Sequence, residues 1–145
     1  MTTNEITDGA IRRALGQRRT IALVGFSANP SRPSHGVARF LRSVGHRVIP
    51  VNPGLAGQEF LGETVRASLR DAAEADLVDV FRRSEEVTHV VDEALAHLPG
   101  LRVIWTQLGV RDDEAAERAR ARGVLVIQDR CPAIDVPRLG LPPVS

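Results

Sequence analysis

TIALVGFSANPSRPSHGVARFLRSVGHRVIPVNP, residues Thr20 to Pro53, decides the fold. The run Ile21 to Val24 is apolar and β-rich, and Gly25 breaks it. After a loop, Ser34 stands where an N-cap opens a helix from His35 to about Val44, with Val37, Phe40, Leu41 and Val44 at helical spacing and Gly45 as its stop. A second strand follows over Arg47 to Val51. Such a strand, loop, helix, strand unit directs the first backbone N–H groups of the helix at the loop, a place that suits a phosphate. The dinucleotide version of the unit needs G-x-G-x-x-G and an acidic residue at the end of the second strand. Here Ser27 takes the place of the second glycine, Asn29-Pro30-Ser31-Arg32-Pro33 lengthens the loop, and the strand ends in Asn52-Pro53. The fold pattern is intact while the ribose-binding carboxylate is missing.

The flanking sequence repeats the alternation. Upstream, Thr7 or Asp8 is expected to cap a short helix through Ile11 to Leu15 that Gly16 ends, a lid helix within residues 1–17. Downstream, a turn-rich stretch reaches Gly62, and Leu69, after Ser68, is expected to dock beside the sheet. Asp76 to Phe81 (DLVDVF) reads as a strand, Ser84-Glu85-Glu86 opens a helix to about Leu98, and Leu101 to Thr106 forms the next strand. Asp112-Asp113-Glu114 opens a helix through Arg122, and Gly123 precedes a last strand over Val124 to Ile127. The proline-rich tail, residues 132–145, is expected to wrap the surface. The fold class expected over residues 1–145 is α/β, a single Rossmann-like doubly wound domain whose mostly parallel sheet has about five or six strands flanked by helices.

Composition excludes several function classes. The chain has 145 residues, 43% hydrophobic and 26% charged, as in a globular protein with one core. Aromatic residues make up only 3%, so the core must be built from Val, Leu, Ile and Ala, which suits a parallel sheet covered on both faces. A net charge of +1, with no basic run interleaved with aromatic residues, argues against nucleic acid as a partner. No apolar stretch approaches the roughly 20 residues that span a bilayer, and MTTNEITDGA lacks a signal-peptide pattern, so no membrane association and a cytoplasmic location are expected. The single cysteine, Cys131, excludes an internal disulfide and a cysteine-cluster metal site. His35, His46, His89 and His97 show no metal-ligand spacing.

In a doubly wound sheet the ligand lies beyond the carboxyl ends of the strands. That rule nominates Gly25-Phe26-Ser27, Asn52-Pro53, Phe81-Arg82-Arg83 and the stretch from Trp105 to Gly109. Gly25 lets the backbone approach a ligand, Ser27 and Ser34 offer hydroxyls, and Arg32 brings positive charge to a pyrophosphate. The alternative for this loop is an ordinary capped strand-to-helix turn. Trp105 reads as core, as a lid, or as a platform for a ligand, and the Gln107 amide needs partners that a ligand can supply. Arg82 and Arg83 either reach a phosphate or face solvent. Cys131 is a candidate reactive thiol whose pKa Arg130 would lower, or else a small buried residue. Asp112-Asp113 and Glu85-Glu86 look like helix openers, so no acid/base pair is assigned.

Taken in order, VGFSANPSRPSHGVARFL, VIPVNP, FLGETVRASL, DLVDVFRRSE, VIWTQLGV and QDRCPAIDVPRL resemble the small stand-alone CoA-binding proteins. These are similar to the CoA-binding Rossmann domain of the succinyl-CoA synthetase alpha subunit and of ADP-forming acetyl-CoA synthetases. The resemblance runs from about Arg18 to Leu139. It implies coenzyme A or an acyl-CoA as the bound cofactor, with the pyrophosphate on the loop around Gly25, Ser27, Arg32 and Ser34. It further implies the adenosine end near Val51, Asn52 and Pro53, and contacts at Phe81, Arg82, Trp105 and Gln107. Asn52 then replaces a carboxylate that would repel the 3′-phosphate of CoA.

The synthetases carry a further domain with a phosphorylated histidine and an ATP-grasp partner, and this chain ends before such a domain begins. The expectation is therefore non-catalytic binding of CoA or an acyl-CoA by a carrier or sensor, with no enzyme activity of its own and an unidentified protein partner. The competing expectation is an NAD(P)-binding oxidoreductase-like protein, motivated by the βαβ order. A third is disulfide exchange between Cys131 and the CoA thiol.

Overall fold

A computed structural model describes residues 2–145. Helix α1 spans Thr3–Leu15, strand β1 Thr20–Val24, helix α2 Pro33–Ser43 and strand β2 Arg47–Val51. A small hairpin, β3 (Glu59–Phe60) and β4 (Glu63–Thr64), precedes β5 (Leu77–Val80), α3 (Val87–His97), β6 (Val103–Thr106), α4 (Asp113–Ala121), β7 (Leu125–Ile127) and α5 (Pro132–Arg138). The main sheet has the order β2-β1-β5-β6-β7, with every neighbouring pair parallel. The strand order reverses between β1 and β5, which makes their carboxyl ends the switch point.

Alternation along the strands divides the core into two layers. Ile21, Leu23, Leu77, Val103 and Trp105 face one side, where α1, α2 and α5 deliver Ile11, Leu41 and Val136. Ala22, Val78, Val80 and Ile104 face the other, against Val87, Val91 and Ala94 of α3 and Ala115, Ala116 and Ala119 of α4. Small residues on α4 let that helix lie close to the sheet. Asp79, midway along β5, is the polar exception, completely buried on a strand otherwise made of Leu and Val.

Three expectations need correction. The first helix is longer at its start, because Thr2 Oγ1 accepts from the Glu5 N–H at 3.1 Å while the Thr2 N–H donates to Glu5 Oε2 at 3.2 Å. This capping box sets the start, and Thr7 and Asp8 lie inside the helix. With Ala10, Ile11, Ala14 and Leu15 buried, α1 is a layer of the sandwich and not a lid. The first half of the proline-rich tail forms α5, because Pro132 occupies the first turn, where a missing N–H is harmless, and Pro137 is accommodated near its end; beyond it the chain runs along the surface, where the Val144 N–H donates to the Val44 carbonyl at 2.8 Å. Asp135 on α5 is buried and held by Arg130 at 3.2 Å and Arg138 at 3.1 Å.

The β3–β4 hairpin went unread in the sequence. Its turn residues Leu61 (φ 49°) and Gly62 (φ 83°) both take positive φ, as a two-residue turn between twisted strands requires. Arg47 ties it to the main sheet through Glu63 at 2.6 Å. At the amino end of the sheet, buried His46 accepts the Arg19 N–H on Nδ1 at 3.0 Å, which requires an unprotonated nitrogen there.

Candidate functional site

The loop after β1 is stitched down on every side. Gly25 has a φ of 88°, and a Cβ there would collide with the Phe81 carbonyl. The position therefore tolerates only glycine, because β1 and β5 run side by side through the switch point. The Gly25 and Phe26 N–H groups both donate to the Val51 carbonyl, at 3.1 and 3.3 Å, and the Phe81 N–H donates to the Val24 carbonyl at 2.8 Å. From β2, Asn52 Nδ2 donates to the Phe26 carbonyl at 2.7 Å, and its Oδ1 accepts from Gly54 N–H at 2.8 Å. Both ends of this amide are thus spent inside the protein. The residue holds the loop in place and does not present its amide to a ligand.

Helix α2 begins two residues earlier than its sequence suggests, with Arg32 as N-cap and Pro33 at the first position. Ser34 lies within the first turn, where its Oγ accepts the Ser27 N–H at 3.0 Å. Ser27 Oγ accepts from Asn29 N–H at 3.1 Å, which tightens the loop again. His35 supports the loop from beneath. Its Nε2 accepts from Arg39 Nε at 3.0 Å, so Nδ1 carries the hydrogen and donates to the Ser27 carbonyl at 3.0 Å. Phe26, His35 and Phe60 form an aromatic cluster with centroid separations of 4.5 to 5.7 Å, and the Arg39 guanidinium lies 5.4 Å from the Phe60 ring centre. The hairpin therefore supplies the plug that fixes the loop.

Three adjoining hollows follow the carboxyl edge of the sheet. The loop itself encloses about 320 Å³, lined by Gly25, Ser27, Arg32, Ser34, Asn52 and Arg82, with Phe81 beside them. On one side it continues through Gly25 and Arg82 into a hollow of about 390 Å³ that holds Val51, Pro53, Ser68, Leu69 and His89. On the other it continues through Pro33, Phe81 and Arg82 into one of about 690 Å³ that holds Gln107, Leu108, Val110 and Cys131. Arg82 touches all three and is paired with Glu86 at 2.6 Å. Eleven of the twelve positions singled out as ligand contacts or as the reactive thiol meet in this groove: Gly25, Ser27, Arg32, Ser34, Val51, Asn52, Pro53, Phe81, Arg82, Gln107 and Cys131.

Trp105 is the one that does not. It is fully buried in the core, and its indole N–H donates to the Arg130 carbonyl at 2.8 Å. Of the alternatives open to it, the structure selects core.

Sequence reasoning missed Asp79, Ser68 and His89. The signal for Asp79 was present, an acid in the middle of DLVDVF. Its Oδ1 accepts from Gln107 Nε2 at 2.8 Å, while Oδ2 is a buried oxygen with no partner among the described residues. Burial, offset in part by the Gln107 hydrogen bond, pushes this carboxyl up to about 7. Cys131 also departs from expectation. Burial pushes its thiol up, against the Ala133 and Ile134 N–H groups, and the Asp79 and Asp135 carboxylates act in the same direction as burial. Arg130 does not lower it, being occupied with Asp135 at 3.2 Å and Asp8 at 3.8 Å. Among the described residues no cluster of His, Cys, Asp and Glu is placed to hold a metal, and no helix is long and apolar enough to cross a membrane.

Known proteins share the sequence and the fold of this chain. The chain is 37% identical over 122 residues to the uncharacterized protein YneT of Bacillus subtilis (strain 168), covering 83% of this chain and 87% of that protein. A hypothetical protein from Pyrococcus horikoshii OT3 superposes with a TM-score of 0.84 at 31% identity, over 96% of each chain. A dinucleotide-forming acetyl-coenzyme A synthetase of Ca. Korarchaeum cryptofilum shares the fold over 79% of this chain and 27% of its own, with a TM-score of 0.63 at 23% identity. The model of the CoA binding domain matches residues 19–137, a span that includes every strand of the main sheet and all the groove residues named above. On that match the chain belongs to the CoA binding domain family.

Proposed function

We propose that this protein binds coenzyme A or an acyl-CoA along the groove, without catalysing a reaction of its own, as a carrier or sensor. The observation that carries the reading is the loop between β1 and α2. Its Gly25 backbone lies against β5, its hydroxyls and amides are held rigid by Ser34, Asn52 and His35, and Arg32 and Arg82 line its opening. A rigid loop at a helix start beside guanidinium groups suits a diphosphate, since its ordering cost is already met in folding.

The two flanking hollows then divide the rest of the ligand. The adenosine end takes the side with Val51, Pro53, Leu69 and Val90, where His89, Ser68 and Arg82 are the groups that can face the 3′-phosphate and Glu93, the one acidic residue lining it, accepts the Leu69 N–H at 2.8 Å. The pantetheine arm, largely apolar with two amides, takes the side with Phe81, Leu108 and Val110. The 690 Å³ there also leaves room for a small acyl group. Against an NAD(P)-binding role stands the end of β2, where Asn52 takes the place of the ribose-binding carboxylate and faces inward to its own loop.

Calorimetric titration of the protein with CoA, 3′-dephospho-CoA, NAD and NADP tests the reading. Saturable binding of CoA, weakened by removal of the 3′-phosphate, is the expected result. Tight NAD or NADP binding with no heat from CoA would overturn it.

A further inference from the structure

We propose that the 690 Å³ hollow is an acyl pocket for neutral aliphatic groups, with Leu108 setting the preference, so that the groove takes a short aliphatic acyl-CoA ahead of free CoA or a carboxylate-ended acyl-CoA. The inference rests on the CoA reading of the groove and deepens it by naming the class of acyl group. A ligand whose diphosphate sits on the loop between β1 and α2 sends its thioester past Pro33 and Phe81, which the two hollows share, toward Gln107, Leu108 and Val110.

The wall at that end is a tightly held turn. The Val110 N–H donates to the Gln107 carbonyl at 2.9 Å, and Gly109 takes the positive φ, 79°, that turns of this length accept at their third residue. The Gly109 N–H donates to Asp129 Oδ1 at 2.6 Å, the Thr106 hydroxyl to the Val110 carbonyl at 2.7 Å, and the Ser84 hydroxyl to the Gly109 carbonyl at 3.4 Å. Leu108 is the second residue of this turn and lines the hollow while 57% exposed. Ile6 and Ile134 are the other large apolar side chains exposed to this degree among the described residues, and neither lines the groove. A leucine fixed at the thioester end of a ligand hollow is covered when an apolar chain lies on it, and its ordering cost is already met by the turn.

The donors of the same wall are committed. The Gly109 and Val110 N–H groups are spent within the turn and on Asp129, and Gln107 Nε2 donates to Asp79 Oδ1 at 2.8 Å. Of the two arginines that line the hollow, Arg82 meets Glu86 at 2.6 Å, and Arg83 meets Glu86 at 3.7 Å and Glu85 at 4.0 Å. Two guanidinium groups thus face two carboxylates before a ligand arrives, and Arg82 also serves the phosphate loop. Behind Gln107 stands the buried carboxyl of Asp79. Among the described residues that line the hollow no cation is left over for a terminal carboxylate, which would lose water without gaining a partner. A methyl-ended chain carries no such cost.

Calorimetric titration of the full chain with CoA, acetyl-CoA, butanoyl-CoA and succinyl-CoA at neutral pH tests the proposal. The butanoyl and succinyl chains have the same number of carbons and differ in the terminal group alone. Butanoyl-CoA is expected to bind tightest, with a gain of up to about fourfold for each methylene added to acetyl-CoA, the factor that ~0.8 kcal/mol represents. Succinyl-CoA should bind at least about tenfold more weakly than butanoyl-CoA. Leu108→Arg, at an exposed turn position, should bring succinyl-CoA level with butanoyl-CoA or ahead of it. Equal affinities for CoA, acetyl-CoA and butanoyl-CoA would overturn the acyl pocket and leave the CoA site standing. Succinyl-CoA binding the wild type as tightly as butanoyl-CoA would overturn the preference for a neutral chain, and an unchanged ratio in Leu108→Arg would overturn the role of Leu108. If none of the four ligands binds, the reading of the groove itself has failed.

Discussion

Replacing Asp79 with Asn is expected to make the protein more stable above neutral pH, even though it removes a charged residue from the core. Asp79 is completely buried, with one oxygen bonded to Gln107 and the other unpaired, and its carboxyl is raised from 3.8 to about 7. Between those values the native protein keeps a proton that the unfolded chain has released. The contribution of Asp79 is therefore fully present below about pH 4 and is lost as pH rises to about 7. Three pH units at about 1.4 kcal/mol each give roughly 4 kcal/mol as the size of that loss.

His46 works in the opposite direction. Burial, aided by the charge of Arg19, lowers it from 6.5 to about 4, so native His46 stays neutral where the unfolded residue is charged. Its contribution is lost below about 4 and recovered by 6.5. The nominal magnitude is about 3 kcal/mol, reduced because the ring sits at the sheet end near Arg18, Arg19 and Asp76 and not in the deep core. Over that interval the two slopes nearly cancel, and the wild type is expected to show a nearly flat stability profile.

Asn keeps an oxygen for Gln107 Nε2 but cannot ionise, so Asp79→Asn exposes the rising histidine slope. Urea unfolding of both proteins from about pH 5 to about pH 8 should give a stability difference that widens by ~1.4 kcal/mol per pH unit up to about pH 7, then levels off. Parallel profiles would refute the argument, because they would mean that Asp79 is ionised in the native state throughout.

Gly25→Ala should cost more than about 2 kcal/mol and abolish CoA binding in calorimetry, since the new methyl group meets the Phe81 carbonyl at a backbone angle that L-residues rarely adopt. Asn52→Ala removes the hydrogen bond that pins the loop to the end of β2 and the one that caps the turn at Gly54; a stability loss of about 1–3 kcal/mol and CoA binding weakened about tenfold or more are expected, and unchanged affinity would show that the loop needs no such support. Phe60→Ala, outside the groove, should lower stability by about 2–3 kcal/mol in thermal unfolding and weaken CoA binding with it, because Phe60 backs both Phe26 and His35.

The alternating strand and helix plan was legible because parallel strands buried on both faces read as short apolar runs, as at Ile21 to Val24 and Asp76 to Phe81, and the helices between them announce themselves by caps and spacing. The five-stranded sheet falls within the expected range. Gly25, Ser27, Asn52, Pro53, Phe81, Arg82 and Gln107 could be nominated because they follow the carboxyl ends of strands, which needs only the strand boundaries. What stayed hidden depends on contacts distant in sequence. Asn52 looked like a ligand contact because nothing local says that its amide meets Phe26, which lies 26 residues earlier. Trp105 was undecided because a strand's last residues can face either core or cleft, and the Arg130 carbonyl that claims its N–H comes from beyond β7. The hairpin, with two residues in each strand, is too short to leave an alternation pattern.

That hairpin has a kinetic consequence. Between Pro53 and Ser68 only Val65 is buried, and the segment is held mainly by Phe60 against Phe26 and His35, by Arg47 and Glu63, and by backbone bonds of Arg66 to Pro50 and Asn52. So little buried surface marks a unit that opens by itself while the sheet stays folded. Its amide protons should exchange first, and faster than those of β1 or β5. Each opening withdraws the plug under the loop between β1 and α2, so the lifetime of a ligand bound there is coupled to how often this small flap lifts, and occupancy of the groove should slow exchange at residues it never touches.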